Sequence, residues 1–128
     1  MDLKKTLTDP KAEREGVWIS LEDARLKVAR IQNPAAVAAF QEKTRFLRGR
    51  ISEEKQKELM TEIMAAHVLL DWENVTIAGE AVPFSKEAAL RILNEFPVVR
   101  QLVLDESQNL ENYLAEKNAD GVEAVKKN

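Results

Sequence analysis

The chain contains no cysteine. That excludes disulfides, thiol catalysis and thiolate metal sites, and leaves metal binding to carboxylates and a single histidine, His67. Glycine is scarce, four in 128 residues and widely spaced, so no glycine-rich loop is present to cradle a phosphate. No apolar run approaches the roughly twenty residues that span a bilayer. The polar start, Met1 to Gly16, lacks the apolar centre of a signal peptide, so a cytoplasmic protein is expected. Neither sign of charge dominates. Nineteen Lys and Arg against 22 Asp and Glu give a net charge of -3, which does not call for nucleic acid or an anionic membrane as partner. Solenoid-length repeats, low-complexity tracts and interdomain linkers are also missing.

What is present is charge and helical pattern. At 128 residues the chain is most simply one domain, with 45% apolar and 32% charged residues but only 5% aromatics. That balance favours long, solvated helices. Asp9-Pro10 can open one helical turn, with Asp9 as cap and Pro10 in the first position. The β-prone Val17-Trp18-Ile19 follows Gly16 and reads as a short strand or an extended arm. Ser20 then caps a helix over 21–31, with Leu21, Ala24, Val28 and Ile31 at helical spacing and Asp23 in the capping-box position. Asn33-Pro34 restarts the chain into a helix over 34–50, rich in alanine and then basic, with Val37, Phe40 and Leu47 on or near one apolar stripe and Phe46 beside it. Lys43, Arg45, Arg48 and Arg50 form its cationic end, a solvated helix terminus more than a phosphate-contacting patch.

The stretch from Leu59 to Phe84 organises the remainder. Ser52 starts a helix expected to run to Trp72, with a broad apolar face through Leu59, Ile63, Met64 and Val68. His67 and Asp71 fall four residues apart on that helix, a spacing that suits a structural hydrogen bond better than a metal site of two ligands. After the Asp71-Trp72-Glu73-Asn74 corner comes a short hairpin over 75–84. Ser85 caps the next helix, and Pro97 stops it and begins a terminal helix that Asn118 or Gly121 ends. The fold expected is mainly α: a single-domain bundle of about five helices with a short N-terminal strand and the small hairpin. Residues 1–15 would form a flexible arm, 16–118 the helical domain and 119–128 a disordered tail.

Chemistry is not suggested anywhere. Acid pairs such as Asp105-Glu106 are common in a chain this charged, and no Ser-His-Asp arrangement follows from spacing. A helix–turn–helix over 21–31 and 34–48 would offer an alanine-rich recognition helix with few base-reading side chains. No catalytic residue, cofactor or metal is expected.

Three segments carry a resemblance. They are Gly16-Val17-Trp18-Ile19 with Asp23–Arg30, His67–Val75 followed by Val82–Ala88, and Val103-Leu104 with Glu111-Asn112-Tyr113. Together they resemble the tail assembly chaperones of long-tailed bacteriophages and related prophages, in order over residues 16–114. The resemblance implies a non-enzymatic helper that binds the long helical tape measure protein, recruits the major tail tube protein and works in the host bacterial cytoplasm. Self-association is compatible with it. It also implies a frameshifted longer form, for which Lys126-Lys127-Asn128 is compatible with a slippery codon run. Candidate partner contacts are Trp18, Trp72, Phe84 and Tyr113. A head–tail connector or other ring-forming virion component is the alternative, and a small enzyme or DNA-binding regulator a more distant one.

Overall fold

In a computed structural model, residues 1–47 and 49–118 are described. Arg48 and the tail expected over 119–128 lie outside them.

The chain is mixed α/β, and this corrects the expectation of a mainly α bundle. A 3-10 turn (Leu3–Thr6) and helix α1 (Pro10–Glu15) precede a hairpin of β1 (Val17–Leu21) and β2 (Ala24–Val28). Helices α2 (Pro34–Thr44) and α3 (Glu53–His67) lead to β3 (Leu69–Glu73). A second hairpin, β4 (Thr76–Ile77) and β5 (Glu80–Ala81), is followed by α4 (Lys86–Glu95) and α5 (Pro97–Gln108). A 3-10 turn (Leu110–Tyr113) and α6 (Ala115–Asn118) complete the described chain. Strands β1, β2 and β3 form an antiparallel sheet in that order, and β4 pairs only with β5.

Two expected helical segments are strands. Residues 21–31 turn back at Glu22-Asp23, pairing Leu21 with Ala24 and Val17 with Val28. The helical spacing of Leu21, Ala24, Val28 and Ile31 is overridden by a two-residue alternation. Val17, Ile19, Leu26 and Val28 are buried, while Trp18, Ser20, Arg25 and Lys27 share the outer face. The helix expected to reach Trp72 ends at His67. Leu69–Glu73 instead supply β2 with its second neighbour, pairing Lys27 with Asp71 and Arg25 with Glu73. Strand pairing satisfies both backbones and buries Leu69 and Trp72, which outweighs weak local helix propensity. A bulge at Lys27/Val28 absorbs one residue of β3.

The helix starts predicted at Asp9, Asn33, Ser52 and Ser85 stand, because each has a local capping reason, whereas Ser20 lies inside β1 and starts no helix. Asp9, Asn33, Ser52 and Ser85 accept from backbone N–H groups of the first turn, and Pro10, Pro34 and Pro97 occupy first-turn positions. The terminal helix does not run on past Gln108. The Asn109 side chain accepts from Glu111 N–H, and the chain tightens so that Tyr113 enters the core. Its hydroxyl donates to Val28 O at 3.0 Å.

One core joins the inner face of the sheet to the helices. Val17, Ile19, Leu26, Val28, Leu69 and Trp72 pack in the same cluster as Met64 and Val68 of the α3 end, Ile92 and Leu93 of α4, Val103 of α5, and Tyr113. Gly16 is required where α1 turns into β1. Its φ is +85°, and a Cβ there would lie 3.1 Å from the Val28 backbone. The first sixteen residues are tied down. Ala115 N donates to Leu7 O and Asp9 N to Tyr113 O, both at 2.7 Å, and Thr8 bridges to Leu114. Burial raises the Glu13 carboxyl pKa, but the Thr8 hydroxyl and the Arg30 guanidinium together outweigh it and hold it below the usual range.

Candidate interaction surface

Among the long helices α2, α3, α4 and α5, α2 has the fewest buried residues. Ala36 is its one buried residue, because the alanine run presents little side chain to the core. Its docking depends on Asn33, buried in the preceding turn. The Asn33 amide oxygen accepts from Ala36 N–H at 3.0 Å, and its Nδ2 donates to Arg30 O at 2.7 Å and to His67 O at 3.0 Å. One side chain thus caps α2 and fastens it to the end of α3. A second tie runs between Lys43 and Glu62, 3.2 Å apart on the surface.

Between these ties lies an open apolar groove of about 460 Å³. Val37 and Phe40 of α2, Met60 and Ile63 of α3, Ile31 of the connecting loop and Gln108 at the end of α5 line it. Val37 is 40% exposed, and beyond the helix end Phe46 and Leu47 are 76% and 43% exposed. The groove offers dispersed apolar contact with amide groups at its margins, Gln32, Gln41 and Gln108. That chemistry suits an amphipathic helix better than a small charged ligand. Val37 and Phe40 were readable as an apolar stripe. That the stripe is left uncovered was not, since it depends on how much core Ile63 and Met60 supply from the other side.

The four aromatic residues singled out from the sequence fall in three settings. Trp18 lies half-buried on the outer face of the sheet, with the Arg25 guanidinium 4.4 Å and Lys27 Nζ 5.8 Å from its ring centre. Arg25 also meets Glu73 at 2.7 Å. Trp72 is buried. Its Nε1 donates to Val82 O at 2.7 Å, and its ring meets Phe84 edge-on at 4.9 Å between centres. Phe84 is half-buried between Trp72 and Lys86. Tyr113 is fully buried. Trp72 and Phe84 therefore come together, and Trp18 and Tyr113 stand apart from them. The Trp72 corner is also tied to the first hairpin by Asn74 Nδ2, which donates to Asp23 O.

His67 and Asp71 do not share a helix face, since α3 ends between them. His67 is held below the ordinary histidine pKa, first by burial and then by the charges of Lys86 and Lys43. Lys86 Nζ donates to Ala66 O, at the carbonyl end of α3 where a cation is favoured. Among the described residues, no three or more Asp, Glu or His side chains gather as a metal site. None of the described helices is long and apolar enough to cross a membrane. In the basic cluster, Arg45 pairs with Glu42 and lies over Phe46, and Lys43 pairs with Glu62.

A family model described as YdaY prophage protein matches residues 19–124. The chain belongs to the YdaY prophage protein family. The described part of the match takes in nearly all of the three-stranded sheet, both hairpin turns and the whole α2–α3 groove, so these features lie within the family's common region. Membership makes this a protein of phage or prophage origin and assigns it no activity. No curated protein and no solved structure matches the YdaY chain.

Proposed function

We propose that this YdaY prophage protein is a non-enzymatic tail assembly chaperone acting in the host bacterial cytoplasm. It holds an apolar helical stripe of the tape measure protein in the α2–α3 groove and brings that client to the major tail tube protein. The observation that carries the reading is the uncovered groove itself. Val37, Phe40 and Met60 line it, yet nothing from the described chain fills it. A helical client shields its apolar stripe there, and a contact of moderate area can be released when the tube assembles. The resemblance over residues 16–114 and the prophage family point the same way. A longer frameshifted form would add sequence after Lys126-Lys127-Asn128, which lie outside the described residues.

The test is co-expression of the full chain with the tape measure protein of the same prophage. The expected result is a soluble complex that co-elutes on size exclusion, lost in Phe40→Glu and kept in Trp18→Ala. A tape measure protein that precipitates equally with and without the chain overturns the reading. So does a stable closed ring of the chain alone that ignores the tape measure protein, which would favour the ring-forming virion component. Sequencing of codons 126–128 tests the longer form separately.

A further inference from the structure

The three-stranded sheet has two edges, and the chain treats them differently. On β3, the pairs Arg25–Glu73 and Lys27–Asp71 point their backbone groups at β2, so the Trp72 N–H points away from the sheet. That N–H is not left open, because Asp71 Oδ1 accepts from it at 2.8 Å. The second hairpin is held to the same residue, accepting the Trp72 indole N–H at Val82 O.

Among the described residues, nothing comparable closes β1. The two-residue turn Glu22-Asp23 makes Leu21 and Ala24 a hydrogen-bonded pair. Alternation then gives Ile19–Leu26 and Val17–Val28 to the ladder and turns the N–H and C=O of Trp18 and Ser20 outward. Among the described residues, these outward groups have no backbone or side-chain partner. Sheet edges are ordinarily blunted by charge, proline or a bulge. Val17–Leu21 has no charged residue and no proline, and the bulge of this sheet sits between β2 and β3.

We propose that β1 is a self-association edge, on which a second copy of this chain lays its own β1 antiparallel to make a six-stranded sheet. The occupant follows from the spacing. The unpaired groups lie two residues apart on either side of Ile19, so the pattern is its own complement. With the two-fold axis at Ile19, Trp18 stands opposite Ser20 of the second copy, and Ser20 opposite its Trp18. Each opposition exchanges two hydrogen bonds. Since β1 is uncharged, no like charges are brought into register. Five residues a side cover much less than the roughly 800 Å² per partner of a standard interface, so the dimer is weak and depends on concentration. This inference stands apart from the groove and does not need the chaperone reading.

The experiment is residue-resolved amide hydrogen exchange on the full chain, from roughly 10 μM to 1 mM. Sedimentation over the same range gives the dissociation constant. The expected result is a monomer–dimer equilibrium in which the Trp18 and Ser20 amides become protected as the dimer fills. Ser20→Pro removes one outward N–H at an edge position that tolerates proline, and should weaken the dimer at least tenfold. Trp18→Thr, which keeps the backbone groups, should retain it. A monomer throughout, a dimer whose Trp18 and Ser20 amides stay unprotected, or protection independent of concentration each overturns the proposal. An unchanged dissociation constant in folded Ser20→Pro does so as well.

Discussion

Asn33 Nδ2 donates to the carbonyl of His67 at 3.0 Å, across the gap between the start of α2 and the end of α3. The same side chain caps α2 through Ala36 N–H. Asn33→Ala therefore removes a cap and two donations at a site only 2% exposed. The expected loss is about 2–3 kcal/mol, measured as the fall in urea midpoint at unchanged slope. Asn33→Ser, which keeps the cap oxygen and loses the reach to His67, should fall between. A loss below about 0.5 kcal/mol in Asn33→Ala would mean that α2 is not fastened through this residue.

The second hairpin has a turn chemistry that can be improved. Ala78 and Gly79 both have positive φ, 51° and 83°, between the paired Ile77 and Glu80. This two-residue turn favours Asn-Gly, because an L-residue with a Cβ is strained in the left-handed region and asparagine least so. Ala78→Asn should raise stability by about 0.5–1 kcal/mol, read from thermal or urea unfolding. A destabilised Ala78→Asn would contradict the assigned turn.

The lowered pKa of His67 makes stability depend on pH in a defined direction. The unfolded chain takes up a proton near the ordinary pKa of about 6.5, and the folded chain only at lower pH, because burial and the Lys86 and Lys43 charges oppose it. Stability should therefore fall as pH drops below that value, and level off once the folded imidazole is protonated. His67→Gln should lose less stability than the wild type between pH 7.5 and pH 5. As His67 is the sole histidine, its imidazole signals titrate without overlap in an NMR spectrum. A midpoint at or above that of a free histidine would refute the assignment.

Tyr113 titrates in the opposite sense. Burial, with the Glu106 charge beside it, pushes its hydroxyl far above the usual phenol range. The folded state keeps a proton that the unfolded state sheds above about pH 10, so stability falls as pH rises past that point. Tyr113→Phe should cost about 1–2 kcal/mol at neutral pH, through the bond to Val28 O. Its deficit relative to the wild type should shrink in alkali. A deficit that stays constant to pH 11 would show that the phenol is not held neutral by the fold.

The sequence revealed those parts of the fold that depend on neighbouring residues. Asp9-Pro10, Asn33-Pro34, Ser52 and Ser85 mark helix starts because a cap is local chemistry. The second hairpin was legible for the same reason. The first hairpin was hidden because its turn, Glu22-Asp23, has neither glycine nor asparagine, with Glu22 forced to a φ of 56°. Strand β3 was hidden because Val68-Leu69-Leu70 continues a helical apolar face equally well, and only β2, forty residues earlier, decides against it. Of the candidate surface, Val37 and Phe40 were visible as apolar residues, but their exposure depends on packing distant in sequence.

The clasp between the two ends of the described chain also sets an order of folding. Leu7 and Asp9 find their backbone partners in Ala115 and Tyr113, more than a hundred residues later. Such distant closure carries the largest entropic cost of any contact here. As the chain emerges from the ribosome, the β1–β2 hairpin can form as soon as Val28 is free, and β3 can dock some forty residues afterwards. The opening segment must wait until Tyr113 arrives, fills the core beneath β2 and offers its carbonyl to Asp9. The amino end is made first and secured last, and a ribosome stalled before Tyr113 would hold a nearly complete sheet whose first sixteen residues are still open to protease.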